Sequence, residues 1–220
     1  MTHPTAADVL EALEQLAQPQ HLTGMRRFGI NTGRALGVNI PRLRKLAREL
    51  RRNHDLALSL WATEVHEARL LGTMVAQPER LTAAQMEAWA RDFDSWDLCD
   101  GACGNLFCRT ALAWEMAPAW AAREEEFVRR AGFVLMATLA VHQKTAPDAA
   151  FLAFFPLLER YAPDERNFVK KAVNWALRQI GKKNAVLRQE AIELARRIRE
   201  QPHRSSRWIA ADALRELEKK

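Results

Sequence analysis

Apolar positions along this chain recur at three- and four-residue intervals almost from end to end. No stretch alternates with the two-residue period of a half-buried strand, and none carries a hairpin signal. The pattern predicts an all-α protein. Candidate helices run over residues 5–17, 22–29, 41–53, 55–62, 64–77, 82–93, 95–108, 110–121, 124–142, 148–161, 164–182, 185–200 and 205–218. Punctuation agrees with these limits. Pro41 sits in a first turn, where its missing N–H would have no helical partner, and Pro78 follows a helix end. Thr82 and Ser95 stand at N-cap positions, Asp164 precedes a long helix and Ser205 precedes the last. Short helices joined by short links fold back on their neighbours, so the expected architecture is an α-solenoid of stacked antiparallel helical hairpins.

An internal repeat points the same way. "FVRRAGFVLMA" from Phe127 and "FVKKAVNWALR" from Phe168 share Phe-Val-basic-basic-Ala at a spacing of 41 residues, within the roughly 40–47-residue period of HEAT or armadillo units. A third segment, "HEARLLGTMVA" around Arg69, aligns loosely. Such solenoids offer a long concave surface on which a ligand lies. No linker or low-complexity tract divides the chain, and one domain over residues 1–220 is expected.

Composition narrows the class. Of 220 residues, 48% are hydrophobic and 27% charged, which is globular usage, and no run of 18 apolar residues could cross a bilayer. The N-terminal stretch has no basic start, apolar core or small-residue cleavage site, so a soluble cytoplasmic protein is expected. Cys99, Cys103 and Cys108 are odd in number and close together, which predicts reduced thiols rather than a disulfide framework. The six His are scattered, and "HEARL" at His66 lacks the second His of a zincin helix, so no metal site is expected; His66, Glu67 and Arg69 read as a structural polar cluster.

Charge adds a layout. The formal net charge is +6, and residues 161–220 hold 15 basic against 8 acidic side chains, while residues 1–160 are near balance. A second basic block, residues 26–52, has nine Lys or Arg against Glu49 alone. Between them, residues 92–126 carry eight acids against Arg109 and Arg123. Two basic ends around an acidic centre suit a polyanion held at both flanks, although a merely solvated basic surface accounts for the charge alone.

Helical projection then sorts candidate chemistry. In the helix from residue 164, Val169, Ala172, Val173, Ala176, Leu177 and Ile180 form the apolar stripe, and Lys171, Arg178 and Lys182 lie opposite, with Trp175 among them. An indole in a row of cations suits an aromatic platform beside phosphate-binding groups; packing onto a neighbouring helix is the alternative. In the helix from residue 41, Leu43, Leu46, Ala47 and Leu50 point inward, and Arg42, Lys45, Arg48 and Arg52 outward. The two cationic stripes would bracket a concave basic groove. In "FDSWDLCDGACG", residues 93–104, Asp97 falls in a first helical turn that favours carboxylates. Asp100 lies beyond the reach of capping, and Trp96 and Asp100, at i and i+4, share one face along the edge of a buried side made by Leu98, Cys99, Ala102, Cys103 and Leu106. An ion pair with Arg130 is the structural alternative for Asp100.

At these residues the chain resembles a known family. Ser-Trp-Asp-x-x-Asp, a basic pair ending in Arg130, and Phe-x-x-Lys-Ala-x-x-Trp over residues 168–175 are similar to the AlkD-like DNA alkylation repair family of HEAT-like-repeat glycosylases. "LGVNIPRLRKLA" from Leu36 and "LWATEVHEAR" from Leu60 extend the similarity over nearly the whole chain. The resemblance implies excision of positively charged alkylated purines, of the 3-methyladenine or 7-methylguanine type, from double-stranded DNA by a monomer without metal or other cofactor. It also implies that Asp100 is the catalytic carboxylate, that Trp96 and Trp175 are its aromatic walls, and that Arg130 contacts phosphate or the active site. Lys171, Arg178, Lys182, Arg42 and Lys45 are the expected DNA contacts. Phe28 departs from the family, standing where a Tyr is expected, and leaves room for a relative that binds damaged or branched DNA without excision.

Overall fold

Five of the described helices begin where the sequence supplies a side-chain oxygen. Thr5, Asn39, Asn53, Thr82 and Asn184 each accept the backbone N–H of the residue three positions on, satisfying a donor that a helix start leaves open. The computed structural model describes residues 4–219, and these residues form fourteen α-helices with three single 3-10 turns and no strand. In chain order the helices are α1 (Ala6–Gln15), α2 (Leu22–Arg27), α3 (Ile40–Leu50), α4 (His54–Ala62), α5 (His66–Val75), α6 (Ala83–Arg91) and α7 (Trp96–Asn105). Then follow α8 (Ala113–Ala121), α9 (Glu126–His142), α10 (Asp148–Leu152), α11 (Phe155–Tyr161), α12 (Asn167–Gly181), α13 (Ala185–Arg199) and α14 (Arg204–Leu217).

Three local expectations need correction. The helix expected over residues 148–161 is two helices, because Pro156, in the first turn of α11, has no N–H to carry the ladder through from α10. Ser95 holds the cap position of α7, but its hydroxyl donates to Asp94 Oδ1 at 3.1 Å and caps nothing. Ser205 lies inside α14, buried, and donates to the Ala162 carbonyl at 2.8 Å, so it ties two helical hairpins together and leaves His203 at the cap position.

The chain divides into two compact units, Met1–Leu106 and Phe107–Lys220. In the first, α5 packs against α3, α4 and α7, and α1 rests on α4 and α5. Leu13, Leu43, Leu60, Leu71, Met86 and Leu98 fill its core. Trp61 of α4 stacks on Trp89 of α6 with ring centroids 4.0 Å apart and planes 2° from parallel. α3 is less embedded than its sequence stripe predicts: Leu43 is fully buried, while Leu46, Ala47 and Leu50 keep partial exposure.

The second unit is a stack of hairpins. α8 pairs with α9, α11 with α12 and α13 with α14, and α9, α12 and α14 pack side by side as one layer. The apolar stripe read from the sequence of α12, Val169 through Ile180, is fully buried. Polar contacts between successive hairpins keep a steady register. Arg130 Nη1 donates to the Phe168 carbonyl at 2.6 Å, Asn174 Nδ2 to Asp212 at 2.7 Å, and Arg178 Nε to Glu216, each pair 38 residues apart. The repeat seen in the sequence is therefore a repeat in space, with Phe127 and Phe168 touching at 5.5 Å between ring centroids.

Candidate nucleic-acid interface

The N-terminal half of α7 carries Trp96 and Asp100, both half-buried, on one helical face. Behind them Leu98, Cys99, Ala102, Cys103 and Leu106 are fully buried, as the spacing predicts, and the small thiols let α7 sit close to its neighbours. Trp96 Nε1 donates to the backbone carbonyl of Phe28 at 3.0 Å. The indole is thus fixed by the turn that ends α2, and it is the carbonyl of Phe28 that holds it. Phe28 itself is 70% exposed, the largest exposure of any large hydrophobic residue among the described residues. Asn31 Nδ2 donates to Asp94 at 2.8 Å and pins the same loop to the residues just before α7.

Asp97, in the first turn of α7, has a role beyond the helix dipole. Its Oδ2 lies 2.9 Å from Nε2 of His66, which is only 5% exposed. Burial alone would pull the imidazole's pKa down, but the Asp97 hydrogen bond, its charge and the charges of Glu67 and Asp94 outweigh burial and raise it. Glu67 is wholly buried and accepts the backbone N–H groups of Leu36, Gly37 and Val38 at 2.8, 2.7 and 3.2 Å. Arg69 donates to the Trp61 carbonyl at 3.2 Å and lies over the Trp61 ring at 5.2 Å. The polar cluster read from "HEAR" therefore clamps the loop before α3 and the start of α7 onto α5. His21, Met25, Ile30, Val38 and Leu70 line a hollow that His66 and Asp97 also border.

The other expected contacts divide between the units. Arg42 and Lys45 are exposed on α3 in the first, with Arg42 Nη1 3.4 Å from the Leu16 carbonyl. Arg130, Lys171, Trp175, Arg178 and Lys182 are in the second. Arg130 is 6% exposed on α9 and spends one donor on the Phe168 carbonyl. Lys171 is exposed and Trp175 half-buried on α12. Arg178 and Lys182, expected as outward cations, are engaged by acids of α14: Arg178 by Asp212 at 3.0 Å and by Glu216, and Lys182 by Glu216 at 2.8 Å. Burial would raise the Glu216 carboxyl, but hydrogen bonds from Lys182 and Arg178 hold it below its ordinary value. Projection of α12 alone could not reveal this, because the acids lie 34 and 38 residues further on. Sequence reasoning also passed over Trp208, 41% exposed on α14 with Lys170 Nζ 5.6 Å from its ring centroid; the signal was there, since Arg204 and Trp208 stand at i and i+4 opposite an apolar stripe.

Comparison with known proteins places this geometry. A family model described as DNA alkylation repair enzyme matches residues 9–217. An uncharacterized protein, Lin0241, of Listeria innocua serovar 6a is 23% identical over 190 residues, covering 84% of this chain and 83% of that one. A solved structure described as "A new family of proteins related to the HEAT-like repeat DNA glycosylases with affinity for branched DNA structures" superposes with a TM-score of 0.78 at 18% identity, over 96% of this chain and 95% of the other. The shared fold is that of HEAT-like repeats.

Proposed function

Because the chain belongs to the DNA alkylation repair enzyme family, we propose that it is a monofunctional DNA glycosylase that removes positively charged alkylated purines, of the 3-methyladenine or 7-methylguanine type, from duplex DNA. The single observation that carries this is the pairing on α7 of a half-buried carboxylate, Asp100, with a half-buried indole, Trp96, whose orientation is fixed by the Phe28 carbonyl. A cationic base is a good leaving group. The bond from C1′ to the purine nitrogen breaks, its electron pair neutralises the departing ring, and positive charge appears on the sugar. Asp100 stabilises that charge and orients the water whose oxygen bonds to C1′ and whose proton is released. Trp96 presents its π-face to the cationic nucleoside, contributing roughly 0.5–2 kcal/mol when water is excluded, and Trp175, on α12 of the second unit, is the other indole for which we propose stacking on the DNA. Arg42 and Lys45 of the first unit and Arg130 and Lys171 of the second contact phosphates, and the Asp100 carboxylate offsets the repulsion such cations exert on the positive charge that develops at the sugar.

A second function has its own support. The structural relative is described by affinity for branched DNA, and the bare ring of Phe28 beside the Trp96 anchor would suit an unstacked base at a junction. One experiment separates the two. Wild type releases methylpurine from methylated duplex, and Asp100→Asn lowers release at least a hundredfold with duplex affinity kept. Equal, negligible release by both proteins, with tight binding to a four-way junction, would establish the binding function instead.

A further inference from the structure

The α12–α14 pair is electrically lopsided. Towards the C-terminal ends, Arg178 and Lys182 face Asp212 and Glu216, and Arg215 pairs with Asp212, so each cation there has an acid. One turn towards the N-terminal ends, Asn174 replaces a cation opposite Asp212. One turn further, the same register brings Lys170 over the ring of Trp208 at 5.6 Å, and no acid enters. Lys171, Arg204 and Arg207 are exposed around it. The acids of this end are committed elsewhere: Asp164 to Arg129 and Arg166, and Glu165 to the backbone N–H of Ser205 at 3.1 Å. What remains is an indole 41% open to solvent within a group of four cations without carboxylate partners among the described residues.

An exposed Trp in such surroundings is a poor surface residue for a protein that binds nothing there. Its apolar area costs solvation, and four like charges repel one another until a polyanion arrives. The spacing suits a nucleic-acid strand, whose phosphates meet the cations while a sugar or base face lies on the indole.

We infer that Lys170, Lys171, Arg204, Arg207 and Trp208 form a docking surface for the phosphate backbone of DNA at the N-terminal ends of α12 and α14, and that this surface, rather than Arg178 and Lys182, supplies the second unit's counterion-releasing contacts. The proposal rests on the DNA-binding part of the function above and needs no excision. Its test therefore uses a short undamaged duplex, with affinity measured by fluorescence anisotropy across a salt series. Arg204→Ala/Arg207→Ala lowers the slope of log K against log salt by about two, since each phosphate contact accounts for about 0.9 of slope. The control pair Arg188→Ala/Arg199→Ala, on α13, removes the same charge and leaves the slope within half that change. Trp208→Ala weakens binding roughly tenfold, and Trp208→Phe, which keeps a ring, recovers most of it. A wild-type slope in Arg204→Ala/Arg207→Ala, or an equal loss in the control pair, overturns the docking surface. Unaltered affinity in Trp208→Ala overturns the role of the indole. Base release by wild type and Asp100→Asn is scored separately, so either proposal can fail while the other stands.

Discussion

Gly37 shows how much one residue can control. Its φ of +80° is open to glycine and strained for other residues, and a Cβ there would come within 2.2 Å of the Gln18 carbonyl oxygen. Its N–H is one of three that Glu67 gathers. Gly37→Ala therefore meets both a conformational and a steric penalty, and a loss of about 3 kcal/mol in urea unfolding is expected, against little change for an exposed control such as Gly24→Ala, whose Cβ would meet nothing within 4 Å. Phe28 teaches a different lesson at the same scale. Its identity was the sequence's one departure from the resembled family, yet the atom that positions Trp96 is its backbone oxygen, which any residue could supply.

Between elements, the His66–Asp97 contact joins α5 to the helix that carries Trp96 and Asp100. The His66 pKa is raised in the folded protein, so the native state holds a proton that the unfolded chain begins to lose near pH 6.5. The contact's stabilisation is complete below that pH and disappears as pH rises through the folded-state value. Urea midpoints of wild type should accordingly fall over that rising interval, and Asp97→Asn should flatten the dependence. An unchanged profile in Asp97→Asn would remove this pair as the link between the two helices. Packing sets a further constraint on elements. At Gly132 of α9 the backbone of α8 comes close, since a Cβ there would stand 2.3 Å from the Ala121 nitrogen. The pattern of apolar residues predicted both helices but not the smoothness of the surface where they meet.

For the whole molecule, charge is shared between two units. The basic block of residues 26–52 falls in the first and the C-terminal surplus in the second. Lys171 and Arg178, on the same helix and both expected to hold DNA, should behave differently. Lys171→Ala lowers the salt slope of duplex binding by about one. Arg178→Ala removes the guanidinium from Glu216 and one of the two from Asp212, and shows itself mainly in folding, with a stability loss of about 1 kcal/mol after allowance for its partial exposure, and little change in slope. A slope change as large for Arg178→Ala as for Lys171→Ala would return that residue to the DNA interface.

Local periodicity was enough for the sequence alone to determine the all-helical class, the buried stripes of α7 and α12, the 41-residue repeat and the shared face of Trp96 and Asp100, because each depends on residues within a few turns of one another. Tertiary structure alone decided which cations have acids, which backbone oxygen orients Trp96 and where Ser205 bonds. Those partners lie 34 to 68 residues apart, and their meeting depends on how successive hairpins slide against each other. That register follows from the packing of whole helix surfaces, where a shift of one turn exchanges every partner.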